Sequence, residues 1–260
     1  MKRLLLTLLV VLCLTPLFAT TYTDSFSFLS TYDGYVELYE AINNYASTSE
    51  VDALYESLKA SLGNTSQDWT VLLKASLNYA HYLLEMAEKK NTKKAKQLIS
   101  NADAIYEALE KSVSKGTVNV PQSNLSALKF TCLSIGYLAS PISVSKGLES
   151  IKVIDGAYEE YPNELSIAVL YASRKLNAPS IGGGDADEAY SVFCSLLTYI
   201  ESAEGVNTSP WERFDIYCGL AKCYEKNKAA EEALKMYRLA LTVYPQNKTV
   251  LAAVEKLVNN

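Results

Sequence analysis

The sequence predicts an all-α protein, a superhelix of stacked antiparallel helical hairpins. Three observations predict it. From Tyr32 onward apolar residues recur at intervals of three and four, the spacing that a 3.6-residue turn gathers into one buried stripe. Val, Ile and Thr form no clean alternating run of any length, so strands leave no signature. Gly is scarce, at 11 of 260 residues, and the 7 Pro fall at boundaries between periodic segments.

The periodicity divides the chain into five hairpins and a closing helix. The first hairpin covers about residues 32–62, with Val36, Tyr39, Ile42 and Tyr45 on one stripe and Val51, Leu54, Tyr55, Leu58 and Leu62 on the other. Ser47 to Ser49 offer N-cap oxygens between them, and Gly63 stands where a C-terminal glycine closes a helix. The second, about 67–114, carries Leu73, Leu77, Ala80 and Leu84, then Ala95, Leu98, Ala102, Ile105 and Leu109. Gly116 to Ser123, with Pro121, is a soft boundary after which helical patterning resumes at once. The third, about 124–161, carries Leu125, Leu128, Cys132 and Ile135, stops at Pro141, and continues through Leu148, Ile151, Ile154 and Tyr158 to Pro162. The fourth, about 164–203, is split by the long loop 177–185 and resumes in Ala189-x3-Phe193. The fifth, about 211–244, holds Phe214, Tyr217, Cys218, Ala221 and Tyr224, the polar turn 225–228, then Ala230, Ala233, Leu234, Tyr237, Leu241 and Tyr244. Val250, Ala253, Val254 and Leu257 mark a closing helix over about 247–258, the capping element that a solenoid end needs.

The fifth hairpin carries a finer pattern. Tyr217-x2-Leu220-Ala221-x2-Tyr224 is followed by Ala233-x3-Tyr237, Ala240 and Pro245. The small residues Ala221 and Ala233 let two helix backbones approach closely. This stretch resembles one tetratricopeptide repeat, a pattern of about 34 residues with an aromatic, Leu-Gly, Tyr, Ala-x3-Phe and Pro at these offsets. Tyr217, Ala221 and Tyr237 stand where that family has Trp, Gly and Phe. The third hairpin echoes it, since Ala157 precedes Pro162 as Ala240 precedes Pro245 and each proline follows a tyrosine. The resemblance implies a tetratricopeptide-like α-solenoid whose concave groove takes a peptide or a protein.

Residues 1–19 read as a secretory signal peptide. Lys2-Arg3 is a positive n-region, Leu4 to Phe18 is the apolar run, and Ala19 is the small residue at the cut. An uncleaved anchor would need about 20 apolar residues, and Leu12 before Cys13 does not suit lipidation. Cleavage takes two of the 24 basic residues and leaves 22 against 29 acidic, a net charge of about −7. That excludes a general nucleic-acid binder, which needs a basic footprint. No later stretch is long and apolar enough to cross a membrane. The short signal and the lack of a clear disulfide framework point to a bacterial periplasmic or secreted protein.

Few residues suggest chemistry. The loop Pro179-Ser-Ile-Gly-Gly-Gly-Asp185 is the candidate ligand loop, because Gly182, Gly183 and Gly184 would bare amides before a helix. Asp185 would repel an anion and suits an N-cap, so a widened turn is the competing reading. The loop is similar to one in the T-component family of helical repeat proteins that accompany periplasmic solute transporters, which implies a small-molecule ligand. His81 is the sole histidine, with Glu85 one turn on, and two ligands do not make a metal site. The even count of Cys132, Cys194, Cys218 and Cys223 permits disulfides in an exported chain, but all four fall on helical patterns, which favours small buried hydrophobes. Lys89, Lys90, Lys93, Lys94 and Lys96 gather at one turn, either solvated or facing an acidic partner or anionic lipid. The 19 tyrosines suit wide, half-wet helix faces or anchors in a binding surface. The expectation is therefore an exported, non-enzymatic scaffold or adaptor without cofactor or metal. The alternative is a ligand-handling component beside a solute transporter, and a hydrolase would have to be built on His81.

Overall fold

The computed structural model describes residues 20–86 and 89–259. The predicted signal peptide, residues 1–19, lies outside them. Among the described residues there are eleven α-helices and no strand, as the periodicity predicts. They are α1 (Asp33–Asn43), α2 (Thr48–Ser61), α3 (Ser66–Glu85), α4 (Lys89–Ser114), α5 (Gln122–Ala139) and α6 (Val144–Glu160), then α7 (Leu165–Asn177), α8 (Ala186–Ile200), α9 (Pro210–Lys226), α10 (Ala230–Val243) and α11 (Lys248–Val258). Two short 3-10 turns, Ser27–Thr31 and Ser180–Gly182, complete the set.

Local chemistry sets the helix ends. Ser47 accepts the Glu50 amide at the start of α2, and Asp185 accepts the Asp187 and Glu188 amides at the start of α8. Thr65 and Asp68 exchange bonds of 3.0 and 3.1 Å in a capping box on α3, which holds the Asp68 carboxyl below its ordinary range. Each such cap contributes about 1 kcal/mol. Pro210 opens α9, where its missing N–H costs nothing. Gly63 departs from expectation. The chain leaves α2 extended at Leu62, and Gly63 is not in the left-handed region. The left-handed residues that end helices are Tyr45 (φ 55), Gly116 (φ 67) and Lys228 (φ 59). At each, the following amide bonds back to the carbonyl five residues earlier: Ala46 to Ala41, Thr117 to Ser112 and Ala229 to Tyr224. A side chain in that conformation costs about 1–2 kcal/mol, yet the first and fifth hairpins both accept one at the same place in the turn.

Consecutive helices pack as pairs, α1 on α2 through α9 on α10, which is the arrangement of an α-helical repeat. The odd-numbered helices also touch in succession, α1 to α3, α3 to α5, α5 to α7 and α7 to α9. They form an inner layer and the even-numbered helices an outer one. Burial follows the layers. In α3 the buried residues Leu73, Ala75, Ser76, Leu77, Tyr79 and Ala80 cover the whole circumference, whereas α6 buries Ser150, Ile154 and Ala157 alone. A helix buried on every face must have something on both sides.

Two features cover the inner faces. The first is an aromatic seam that brings the first hairpin against the last. Tyr35 and Tyr39 of α1 meet Trp211 of α9, with ring centroids 5.6 and 5.5 Å apart, and Tyr39 meets Tyr244 at 6.2 Å. Polar bonds finish the closure. Asn247 Nδ2 donates to the Asn43 carbonyl (2.8 Å), the Gln246 amide donates to Asn44 Oδ1 (3.1 Å), and the Tyr45 and Thr249 hydroxyls share a bond of 2.6 Å. So α11 does not merely cap an open end; it meets α1. The second feature is the segment 20–31. Thr23 exchanges backbone bonds with Asn163 and Leu165, Ser25 donates to Glu164, Asn124 donates to the Ser25 carbonyl, and Tyr22 packs edge-on against Tyr199. Phe26 and Leu29 are wholly buried. The segment crosses one end of the inner layer, on the side where each hairpin passes to the next, and seals it.

Candidate functional site

With one end sealed and the seam closed, the inner layer leaves a cup of about 390 Å³ that opens on the side of the turns within hairpins. Its walls come from elements far apart in sequence. α1 supplies Tyr39 and Ile42; α3 supplies Asn78, His81 and Glu85; α9 supplies Phe214, Asp215, Cys218 and Lys222. Leu170 of α7, Tyr237 of α10 and Val250 of α11 fill the remaining sides. Helical rise orders these residues by depth. Lys222 stands at the mouth, and Asp215, seven residues earlier on the same face, lies about 10 Å deeper. One turn below Asp215 and Asn78 come Glu212 and Lys74.

The charges at depth are unusual. Glu212 is 4% exposed, and among the described residues no hydrogen bond or ion pair within 4.0 Å involves it. Burial, reinforced by the like charges of Asp215 and Asp24, outweighs the pull of Lys74 and pushes the carboxyl up to about 8. Burial likewise pushes Asp215 up to about 6, against the pull of Lys222 and Lys74. Lys74 has its ammonium 4.0 Å over the Phe26 ring, and burial lowers its pKa. Trp211 Nε1 and Ser209 Oγ are buried without a partner. Of these groups Asp215 faces the cavity, and Glu212 and Lys74 lie one turn beneath its lining.

The predicted ligand loop is organised differently from its sequence reading. The Gly182, Gly183 and Gly184 amides donate to Pro179, Ser180 and Pro179 carbonyls at 2.8, 3.0 and 3.1 Å, and the Asp185 amide donates to Lys175 at 2.9 Å. The three glycine amides are spent within the loop, so the glycine run offers no anion cradle. Gly183 is left-handed (φ 78), and its carbonyl accepts from Arg174 at 2.8 Å. Arg174 also pairs with Asp155 of α6, so the loop is tied across to the third hairpin. The Gly182 side of the loop forms one wall of a groove of about 510 Å³ between the third and fourth hairpins. Tyr137, Leu138, Val144 and Leu148 line the facing wall and are all exposed. Ile142 and Ile181, at the tips of the two turns, are 93% and 99% exposed.

The other predicted residues fall into place as follows. Leu220, Ala221, Ala233 and Ala240 are wholly buried, Tyr217 and Tyr237 are buried, Tyr224 is half-buried against Tyr190, and Pro245 lies exposed in the turn after α10. The Tyr237 hydroxyl donates to Glu225 across the hairpin (2.6 Å). Gly219 was not signalled by the motif, yet it makes the tightest approach of any glycine to a side chain. A Cβ there would lie 2.2 Å from Phe193 Cζ of the preceding hairpin. His81 and Glu85 stand at the mouth of the cup with Nε2 4.0 Å from the carboxylate. Among the described residues no three His, Cys, Asp or Glu side chains could together hold a metal ion. The four cysteines among the described residues are free. Burial pushes Cys132 and Cys218 up to about 12 and Cys223 up to about 11, which keeps these three thiols protonated at neutral pH. Of the lysine cluster, Lys94 pairs with Asp52, while Lys93 and Lys96 are exposed; the side chains of Lys89 and Lys90 lie outside the described residues. No helix among the described residues is long and apolar enough to cross a membrane. Comparison with family models, with curated proteins and with solved structures returns no match to this chain.

Proposed function

We propose that this chain is an exported, non-enzymatic scaffold of the tetratricopeptide type that binds an apolar segment of a protein partner. One observation carries the reading: four large apolar side chains, Tyr137, Leu138, Val144 and Leu148, are exposed along one groove, and Ile142 and Ile181 stand exposed in the turns that adjoin it. Lone exposed apolar residues are ordinary, whereas a contiguous patch rimming a groove is how interaction sites look. The groove suits a short amphipathic helix or an extended strip of apolar residues better than a charged one, because the charged group at its wall, Arg174, is already paired with Asp155. The reading moves the partner from the concave face to this outer groove, since the concave side holds residues 21–31 and the aromatic seam. Export rests on the signal-like residues 1–19, and the repeat type on the pattern from Tyr217 to Pro245.

Site-specific photocrosslinking in the native envelope tests the proposal. A crosslinker at Leu148 is expected to trap one stoichiometric protein, and Ile142→Glu with Ile181→Glu is expected to abolish the adduct. No adduct from Leu148, or equal yield from a crosslinker at Glu159 away from the groove, would count against it. The second reading, a ligand-handling component beside a solute transporter, rests on the inner cup.

A further inference from the structure

We propose that the inner cup binds a small organic cation, an amine or quaternary ammonium compound, with its head between Asp215 and the rings of Tyr39, Phe214 and Tyr237. The site is distinct from the outer groove, so this inference and the scaffold reading stand or fall separately.

Volume, shape and charge lead to the same class of ligand. At about 390 Å³ the cup lies within the range of small-molecule sites, about 300–1,000 Å³. One turn deeper than Asn78, the Lys74 ammonium sits 4.0 Å over the Phe26 ring. Within the lining Asp215 is the deepest charged side chain, and Glu85 and Lys222 stand at the mouth. One turn below, Glu212 is 4% exposed and burial favours its neutral form, which leaves Asp215 as the deep carboxylate that faces the cavity. A cation above Asp215 compensates its charge, and Asp215 retains accessible surface toward the cavity it lines. Aromatic faces complete the site: the negative face of a ring attracts an alkylammonium, and the attraction grows when water is excluded. Tyr39 is already held by Trp211 and Tyr244, and Phe214 by Tyr244 at 5.0 Å, so the walls are set before a ligand arrives. At the mouth, Glu85 favours entry of a cation and Lys222 opposes it.

An anionic ligand fits poorly. Lys222 is the exposed base at the mouth, but an anion passing it would meet Asp215. A volume of about 390 Å³ leaves no room for a long peptide.

Isothermal titration of the purified chain with choline and with cadaverine tests the proposal, with the uncharged carbon isostere of choline as control. The expected result is binding of at least one cation at millimolar concentration or below and none of the isostere. Asp215→Asn is expected to weaken binding roughly tenfold or more, the effect of removing one charge from a partly desolvated site. Lys222→Glu, at an exposed position that leaves the fold alone, is expected to strengthen it several-fold. Neither cation binding at millimolar concentration, the isostere binding as well as choline, or Lys222→Glu leaving affinity unchanged would each overturn the assignment.

Discussion

The glycine run 182–184 can be taken apart residue by residue, and the structure ranks the three substitutions before any is made. At Gly182 an added Cβ would meet nothing nearer than Pro179 side-chain atoms at 3.7 Å, and φ is ordinary, so Gly182→Ala should leave stability within about 0.5 kcal/mol. At Gly183 φ is 78°, and the Cβ would also approach Arg174 Nη1 to 3.2 Å. The conformational cost of about 1–2 kcal/mol dominates there. At Gly184 the Cβ would stand 1.9 Å from the Ala178 carbonyl oxygen and 2.7 Å from its carbon. Backbone cannot rotate aside as a side chain can. The loop would have to open, straining the Gly184 to Pro179 and Asp185 to Lys175 bonds and lifting Asp185 off the start of α8. Losing one cap and one or two loop bonds costs about 2–4 kcal/mol. At about 2–4 °C per kcal/mol for a chain of this size, Gly184→Ala should lower Tm by roughly 4–16 °C, and Gly183→Ala by about half that or less. Thermal melts followed by far-ultraviolet circular dichroism would read all three. Equal effects at the three positions, or a neutral Gly184→Ala, would refute a loop that spends its amides on itself.

Other consequences follow from packing and charge. Gly219→Ala should destabilise by about 1–3 kcal/mol despite better helix propensity, because its Cβ overlaps the buried Phe193 ring, and Phe193→Leu in the same chain should recover much of that loss in urea melts. Glu212 holds its proton in the folded chain up to about 8 and releases it near the usual carboxylate value when unfolded. Between those values the native state binds more protons, so stability falls as pH rises. Glu212→Gln should flatten that fall and raise Tm above wild type at pH 8, whereas parallel Tm profiles from pH 5 to 9 would contradict the burial of this carboxyl. Asn247→Ala removes both the cap on α11 and the bond to Asn43, a cost of about 1–2 kcal/mol. Hydrogen exchange should then quicken at the end of α1 as well as in α11; a change confined to α11 would mean that the two ends are not coupled.

The helices were legible because their signal is local. Each stripe lies within one segment, and Ser47 and Asp185 act as caps through amides two or three residues away. The error at Gly63 has the same root. Glycine permits the left-handed turn without requiring it, and Tyr45 and Lys228 take that conformation where their turns demand it. The cup was illegible for the opposite reason. Tyr39, Asn78, Asp215, Tyr237 and Val250 are dispersed over more than 200 positions, and Tyr39, Tyr237 and Val250 read in sequence as members of packing stripes. Gly182 to Asp185 drew attention as a recognisable string, yet the string closes on itself.

One signal for the cup was nevertheless present. A surface helix can carry charge on its outer face, so Lys or Glu in an amphipathic pattern says little. The inner helices have no outer face. In α3, Lys74 is flanked by Val71, Leu73, Ala75 and Leu77, and in α9, Glu212 and Asp215 are flanked by Trp211, Phe214, Ile216 and Tyr217, all of them buried. Where apolar residues surround a helix, a charge on it cannot face bulk water and must face an interior space or a partner. The tyrosine excess reads the same way. Phe would pack the seam between α1 and α9 as well as Tyr35 and Tyr39 do, but a phenol lets Tyr35 accept from Asn78 at 3.2 Å in the wall of the cup. The 19 tyrosines therefore suit a solenoid closed on a polar interior better than one open to solvent along a groove.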